Sequence, residues 1–183
     1  MNEGLKIYAN EDRVISIHGY VYPVKAALPE TFFLRGADCW GWATWKRGWD
    51  LLETNGQKLL DILRLQHLAR QFDFNNSYGY TAMLRKQITG KNSSWAILWY
   101  ASAFLKNKFT LYPGQSLVTN IGNDGMGTHT SKTDDYLAEL SRKPVNIKAI
   151  PLQHNEQAAK YFVQYFRSII PGLLTGIIRK LKA

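Results

Sequence analysis

Cysteine is scarce in this sequence, since Cys39 is the one thiol among 183 residues. A single cysteine excludes an internal disulfide framework and a zinc site built from several cysteines. No segment reaches the roughly 18 uninterrupted apolar residues of a membrane-spanning helix. The first residues also lack the basic region and apolar run of a secretory signal. We therefore predict a cytoplasmic protein with a reduced thiol.

Acidic residues are outnumbered: 14 Asp and Glu stand against 23 Lys and Arg, for a formal net charge of +9. The excess is uneven, because residues 151–183 carry five basic side chains and one acidic residue, Glu156. A basic balance suits nucleic acid, an anionic lipid surface or a phosphorylated substrate, and does not choose among them. Because the sequence contains no RNP motif or zinc finger, we predict no nucleic-acid partner.

Several catalytic motifs are missing as well. The sequence has no Walker phosphate loop, no Gly-x-Gly-x-x-Gly, no zinc-protease motif and no Gly-x-Ser-x-Gly. These absences argue against P-loop nucleotide hydrolysis, Rossmann-type dinucleotide binding, zinc proteolysis and α/β-hydrolase chemistry.

The sequence that remains has the profile of one globular domain. Hydrophobic residues make up 45% and charged residues 20%, close to the globular average, which argues against disorder. Alternating β-branched runs predict strands, and apolar residues at helical spacing predict helices. The predicted strands are residues 14–18, 32–34, 110–112, 116–119 and 145–150, and the predicted helices are residues 5–10, 57–71, 78–88, 95–105 and 155–169. This mixture predicts an α/β fold.

Aromatic residues make up 13% of the chain, and four of the six tryptophans lie within residues 40–49. Trp42, Trp45 and Trp49 are spaced as on one face of a helix. Such rings bury a large area, and their flat faces also suit sugar rings or nucleobases. Core packing is favoured for Trp45 and Trp49. For Trp40 and Trp42 the sequence leaves core packing and ligand contact equally open.

Asp38 stands shortly after the predicted strand at residues 32–34. A carboxylate at the C-terminal end of a strand is well placed to act as a catalytic base in an α/β protein. The alternative is that Asp38 caps the helix that carries the tryptophans.

Residues 120–129 form a second polar block, Asn-Ile-Gly-Asn-Asp-Gly-Met-Gly-Thr-His. Its glycines allow close backbone approach to a ligand, and its amides can hold phosphate oxygens. His129 is a candidate metal ligand or diphosphate contact, with a structural histidine as the alternative. His18, His67 and His154 show no partner pattern, and we interpret them as structural.

Taken in order, these segments resemble the second half of bacterial family-2-type glycosyltransferases with the GT-A fold. The similar segments are residues 14–20, 32–36, 40–45, 94–99, 111–113, 116–118 and 120–129. The resemblance covers about residues 5–130. The blocks Trp-Gly-Trp-Ala-Thr-Trp and Asn-Ile-Gly to Gly-Thr-His are fairly specific as a pair, and neither is specific alone.

The resemblance implies transfer of a sugar from a nucleotide-sugar to a hydroxyl of a surface-glycan or lipid-linked acceptor. It also implies a partial GT-A-like fold, an incomplete mixed sheet flanked by helices, with a helical basic tail. In such enzymes Mn²⁺ or Mg²⁺ offsets charge on the departing diphosphate, and a carboxylate removes the acceptor proton. Asp38 is then the expected base and His129 the expected metal ligand. The expected substrate-binding residues are Arg35, Trp40, Trp42, Asn120, Asp124 and Thr128.

The sequence also departs from this family. It contains no Asp-x-Asp motif, with which the family holds its metal, and no carboxylate at residues 92–94, which leaves Asp38 as the base by default. We therefore expect residues 1–150 to be the acceptor-side half of a truncated or split glycosyltransferase, inactive alone. The alternative is a non-catalytic carbohydrate- or partner-binding module. Expected partners are a nucleotide-sugar donor, a glycan acceptor, and a separate N-terminal half or a second copy of the chain.

Residues 151–183 form the expected tail. Aromatic and aliphatic residues recur there at helical spacing, and basic residues lie between and after them. This pattern predicts amphipathic helices suited to an anionic membrane surface, such as the inner face of the cytoplasmic membrane. The equally open alternative is a helix that packs back on the domain.

Overall fold

Short strands and helices share the described chain, which comprises residues 1–119 and 134–169 of a computed structural model. The strands are β1 (Val14–His18), β2 (Thr31–Arg35), β3 (Trp42–Thr44) and β4 (Phe109–Pro113). The helices are α1 (Asn2–Ile7), α2 (Lys46–Trp49), α3 (Gly56–Leu65), α4 (Ala69–Phe72), α5 (Tyr80–Ile88), α6 (Trp95–Leu105) and α7 (Glu156–Ile169). The predicted α/β class is therefore confirmed.

The four strands form one mixed sheet in the order β2-β4-β1-β3. β4 runs antiparallel to β2, with Phe33 opposite Leu111, and parallel to β1, with Ile17 opposite Leu111. β1 pairs antiparallel with β3, with Ser16 opposite Thr44. Because a parallel pair requires a long crossover, the chain between β1 and β4 carries the helices α2 to α6.

Alternate residues of the strands serve two separate cores, as the two-residue period of a strand requires. Ile17, Phe33 and Leu111 pack beneath α1 and residues 147–152. Phe32, Leu34 and Tyr112 face the opposite side and pack against α7. The sheet is thus covered on both faces.

Helix α6 connects the sheet to the remaining helices. Ser94 caps it, since its Oγ accepts the N–H of Ile97 at 3.4 Å, as the sequence predicts. Residues 97–104 of α6 are all buried. Trp99 and Ala103 pack with Ile15 of β1, while the other side of the helix packs against α3 and α5. A helix buried along most of its length is expected to lack charged residues, and α6 has none; the hydroxyl of its buried Ser102 donates to the carbonyl of Leu98.

The predicted helix at residues 57–71 is divided in two. α3 ends at Leu65, and His67 takes a left-handed conformation with φ of 55°. The N–H of Leu68 then bonds to the carbonyl of Leu63 at 2.9 Å, which is the hydrogen bond of a Schellman-type helix end. Glycine is the usual residue at such a position, so its absence conceals the break in the sequence.

The tryptophan stripe does not form the predicted helix. Trp42 lies in β3, opposite His18 of β1, and only the four residues of α2 after Trp45 are helical. Backbone pairing with β1 therefore overrides the helical spacing of the rings. Residues 145–150 form no strand, and Ser116 of the predicted strand at 116–119 makes only an isolated bridge with Leu140.

Helix α7 packs on the domain. Phe162 and Phe166 are completely buried against Tyr22, with ring centroids 5.0 and 4.8 Å away, and Phe162 also contacts Phe32 of β2. For residues 156–169, the alternative of a helix that packs back on the domain is therefore confirmed. Residues 170–183 lie outside the described residues. Within the described ranges, no helix has the length and apolar character needed to cross a bilayer.

Candidate functional site

A cavity of about 670 Å³ opens between the end of β2, the N-terminal end of α6 and helix α7. We call it the tyrosine cavity, because six tyrosines line it. Its aromatic lining residues are Tyr22, Tyr78, Tyr80, Tyr100, Tyr112, Tyr136, Trp40, Trp95, Phe74 and Phe162. Arg35, Asp38, Lys86 and Lys91 add the charged groups. The cavity thus combines large apolar faces with a few polar atoms, as small-molecule sites do.

The turn after β2 brings Asp38 to this cavity. Gly36 has φ of +106°, and a Cβ there would lie 2.5 Å from Cε2 of Tyr100. Only glycine fits both the backbone angle and this close approach. Asp38, two residues after Gly36, is half-buried. One of its carboxylate oxygens accepts a hydrogen bond from the N–H of Cys39 at 2.7 Å. Asp38 therefore lies at the cavity wall, where its carboxylate also accepts a hydrogen bond from the Tyr112 hydroxyl.

His18 fixes the segment that carries Asp38 and Trp40. Its Nε2 accepts the N–H of Trp40 at 3.0 Å, so the proton lies on Nδ1, which donates to the carbonyl of Tyr20 at 2.6 Å. Nε2 also lies 3.8 Å from Oδ1 of Asp38. Complete burial lowers the pKa of His18, although the charge of Asp38 opposes that shift. His18 is therefore neutral, and its contact with Asp38 is not an ion pair.

The charge of Asp38 acts on tyrosines all around it. Burial raises the pKa of six tyrosines, and the negative charge of Asp38 raises each further: Tyr20, Tyr22, Tyr78, Tyr80, Tyr100 and Tyr112. All six hydroxyls stay protonated at neutral pH, so each can donate as well as accept a hydrogen bond. The cavity thus offers one carboxylate among neutral hydroxyls and ring faces.

Positive charge lies at the edge of the cavity. Arg35 donates through Nε to the carbonyl of Phe104 at 2.9 Å, and its guanidinium lies 4.1 Å from the centre of the Phe104 ring. Burial lowers the pKa of Arg35, which remains a cation. Lys86 and Lys91 are exposed at the rim. The lining therefore carries three cations and, in Asp38, one carboxylate.

Cys39 also lines the cavity but is a poor nucleophile. Burial, with a smaller contribution from Asp38, raises the pKa of its thiol to about 12. The thiolate is the reactive form of cysteine, and it is scarcely populated at neutral pH. Covalent catalysis by Cys39 is therefore disfavoured, and Asp38 is the better candidate for proton transfer.

The structure brings together three of the residues singled out in the sequence: Arg35, Asp38 and Trp40. Trp42 lies outside the cavity, where its ring packs against Trp49, Trp95 and Trp99. Asn120, Asp124, Thr128 and His129 lie outside the described residues. Asp38 does not cap α2, whose N-cap is Trp45 without a side-chain bond, so the capping alternative is wrong.

Most of the residues that line the tyrosine cavity were not predicted from the sequence. Tyr22 and Tyr80 each end a Tyr-x-Tyr pair, at residues 20–22 and 78–80, and both line the cavity. The repeated Tyr-x-Tyr pattern was the sequence feature that could have indicated these residues. The local sequence around each pair does not predict that the two pairs meet in the fold. Their hydroxyls lie 3.4 Å apart only because α5 and the segment after β1 meet above the sheet.

Metal-binding capacity is limited in the described part of the chain. Within residues 1–119 and 134–169, no three His, Cys, Asp or Glu side chains come close enough together to hold a metal ion. Comparison with protein-family models, with curated proteins and with solved structures found no match to this chain.

Proposed function

We propose that this chain forms the acceptor-side part of a glycosyltransferase with a GT-A-like fold, and that the acceptor sugar binds in the tyrosine cavity. The observation that carries the proposal is Asp38, a half-buried carboxylate that lines a cavity of aromatic rings and tyrosine hydroxyls. Among the described residues no lysine or arginine pairs with it, and its neighbour His18 is neutral. This carboxylate also accepts a hydrogen bond from the Tyr112 hydroxyl, and it lies at the cavity wall where it can take a proton from a bound substrate.

The size and lining of the cavity support a sugar as the ligand. About 670 Å³ lies within the roughly 300–1,000 Å³ that small-molecule sites occupy. Ring faces pack against the C–H faces of a sugar, while hydroxyls such as those of Tyr78 and Tyr136 match its polar edge. The resemblance of residues 40–45 and 94–99 to glycosyltransferase segments points to the same ligand class.

The proposed step gives Asp38 the role of general base. The acceptor hydroxyl forms a bond from its oxygen to the anomeric carbon of the donor sugar. The bond between that carbon and the diphosphate oxygen breaks, and its electron pair leaves with the nucleoside diphosphate. The acceptor proton passes to the Asp38 carboxylate and is later released to solvent. No oxidant or reductant is needed.

The described residues do not fit the divalent cation that the resemblance implies, because they contain no cluster of three ligands. His129 remains a predicted ligand outside the described residues. The 183 residues contain no Asp-x-Asp pair. We propose that the nucleotide-sugar and its cation are held by a segment or polypeptide outside these residues.

We further propose a cytoplasmic location, peripheral to the inner face of the membrane, where lipid-linked glycans are built. Arg179, Lys180 and Lys182 support it, since each basic residue near an anionic surface contributes about 1 kcal/mol to binding. α7 does not support it, because its apolar face is buried in the domain.

A second candidate is a carbohydrate-binding module without catalysis. The absence of a metal-ligand cluster from the described residues favours it. It predicts glycan binding that requires neither metal nor nucleotide. The two candidates agree on the ligand in the tyrosine cavity and differ over the chemistry at Asp38.

Replacement of Asp38 by asparagine tests the proposal. The full chain is incubated with a panel of nucleotide-sugars, Mn²⁺ and glycan acceptors, alone and together with a donor-binding polypeptide that carries an Asp-x-Asp pair. We expect transfer in the complemented mixture and a loss of about 10²–10⁴-fold in Asp38→Asn, because the amide cannot take the proton. Acceptor binding is expected to change little, since asparagine keeps the shape and one acceptor oxygen.

Asp61→Asn is the matched control, because Asp61 is exposed on α3, away from the cavity, and pairs with its helix neighbours Gln57 and Arg64. Its transfer rate is expected to equal that of the wild type. Transfer by Asp38→Asn at the wild-type rate would exclude Asp38 as the base. Glycan binding without transfer under every condition would establish the binding module instead.

A further inference from the structure

Three tryptophan rings form a second aromatic surface beside the tyrosine cavity. Trp42 of β3, Trp49 of α2 and Trp95 of α6 lie with ring centroids 5.6 to 6.0 Å apart, and we call them the tryptophan ledge. Trp49 and Trp95 remain 40% and 44% exposed. Exposed tryptophans that touch one another are unusual on a protein surface, because burying their rings is favourable.

The ledge is held rigidly from behind. Trp99 is completely buried, and its ring lies 5.8 Å from Trp42 and 5.5 Å from Trp49. β3 is fixed by its pairing with β1, and the Thr44 hydroxyl donates to the carbonyl of Ile15. A ligand that binds here therefore meets surfaces already in place, which lowers the entropy cost of binding.

The ledge begins where the tyrosine cavity ends. Trp95 belongs to both, since it lines the cavity and packs against Trp42 and Trp49. Lys91 and Ser93 precede Trp95 in the chain, line the cavity as well, and are exposed. A molecule that fills the cavity and extends past Trp95 thus reaches the Trp49 ring next, with polar groups at its edge.

The exposed area indicates the size of the occupant. A fully buried aromatic side chain covers about 150–250 Å², so two rings at these exposures offer on the order of 200 Å² together. A specific protein interface needs roughly 800 Å² on each partner. The ion pair between Lys46 and Asp50 further limits the apolar patch next to Trp49. The ledge is therefore too small for a second copy of the chain and suits one sugar ring.

We infer that the tryptophan ledge binds the second saccharide ring of the acceptor, so that the acceptor is a disaccharide or a longer glycan rather than a single sugar. This inference rests on the proposed function, because it assumes that the first ring occupies the tyrosine cavity. Trp95 would contact both rings, and Trp49 only the second. The prediction that follows is a preference for disaccharides that depends on Trp49.

Fluorine NMR of the full chain labelled with 5-fluorotryptophan tests this assignment, since each of the six tryptophans reports separately once assigned by substitution. The probes are methyl glycosides of glucose, galactose, mannose and N-acetylglucosamine, and disaccharides that end in the same four sugars. We expect a monosaccharide to shift the resonances of Trp40 and Trp95. A disaccharide is expected to shift that of Trp49 as well and to bind about tenfold more tightly.

Variants at Trp49 separate a stacking contact from general apolarity. Trp49→Leu is expected to abolish the disaccharide preference, whereas Trp49→Phe keeps a ring and most of the preference. Trp45→Leu is the control, because Trp45 packs with the opposite core and beneath Arg47. The preference is expected to survive in that variant.

Three results would overturn the inference, and they differ in what else they affect. A bound disaccharide that leaves the Trp49 resonance unshifted would exclude the ledge alone and leave the cavity as the sugar site. A Trp49 shift that depends on protein concentration without sugar would indicate self-association instead. Saccharides that shift neither Trp40 nor Trp95 would refute the proposed function, and the inference with it.

Discussion

His18 shows how one buried residue can position a site without touching a ligand. It sits in the central strand β1, receives the N–H of Trp40 and donates to the carbonyl of Tyr20. It does not line the tyrosine cavity. Its role is therefore to hold the turn that carries Asp38 and Trp40, in agreement with its interpretation from the sequence as structural.

The lowered pKa of His18 predicts a loss of stability in mild acid. Below about pH 6.5 the unfolded chain takes up a proton on this residue, whereas the folded protein does so only at lower pH. The free energy of unfolding therefore falls as pH falls from 7 towards the folded pKa, by up to about 1.4 kcal/mol per pH unit. Urea unfolding of the wild type between pH 5 and 7.5 measures this slope.

His18→Gln isolates the contribution of His18, since the pKa of His154 is also lowered by burial. The variant is expected to be less stable at pH 7.5 by about 1–3 kcal/mol and to show a shallower pH slope. His67→Asn is the control, because His67 is exposed and asparagine tolerates its left-handed backbone. An equal pH slope in His18→Gln and the wild type would show that the lowered pKa of His18 does not affect stability.

Among the helices and strands, the cap at the start of α6 could be predicted from the sequence, whereas the pairing of β3 with β1 could not. Ser94 marks the start of α6 in the sequence, and its hydroxyl accepts the N–H of Ile97 there. The tryptophan spacing predicted a helix through Trp42, because spacings of three and seven fit a helix. Residues 42–44 form a strand instead, because they pair with β1. A contact between segments so far apart in the chain cannot be predicted from the local sequence.

The Ser94 side chain stabilises the start of α6. Ser94→Ala removes the acceptor for the N–H of Ile97 and is expected to cost about 1 kcal/mol of unfolding free energy. Ser93→Ala changes the same side chain one residue earlier, where Ser93 is exposed, and is expected to stay within about 0.5 kcal/mol of the wild type. Urea denaturation compares the two. Equal losses would show that the cap does not stabilise α6.

At the scale of the whole molecule, α7 belongs to the same core as the sheet. The sequence predicted its amphipathic pattern and its bounds closely, but left its apolar face open between membrane and domain. The apolar face packs on the domain because it contacts rings that are distant in the chain. The Phe162 ring lies at centroid distances of 5.0 to 6.3 Å from Tyr22, Phe32 and Tyr112. Phe162, Tyr22 and Tyr112 also line the tyrosine cavity, so the helix and the site depend on each other.

Phe162→Ala tests this dependence. Loss of a buried ring is expected to lower the free energy of unfolding by about 3–5 kcal/mol and to weaken sugar binding, since Phe162 lines the cavity. Gln164→Ala, on the exposed side of the same helix, is expected to change neither quantity. Urea unfolding followed by circular dichroism measures both variants. A loss below about 1 kcal/mol in Phe162→Ala would contradict the packing described for α7.

Carbohydrate binding in the tyrosine cavity around Asp38 is our proposal, and binding of the full chain to a glycan array measures it. We expect binding to a group of glycans that share a terminal sugar. We also expect a loss of at least about tenfold in Trp40→Leu, which removes a cavity ring, and no loss in Trp45→Leu on the opposite side of the sheet. Binding to no glycan, or equal binding by Trp40→Leu and the wild type, would contradict the proposal.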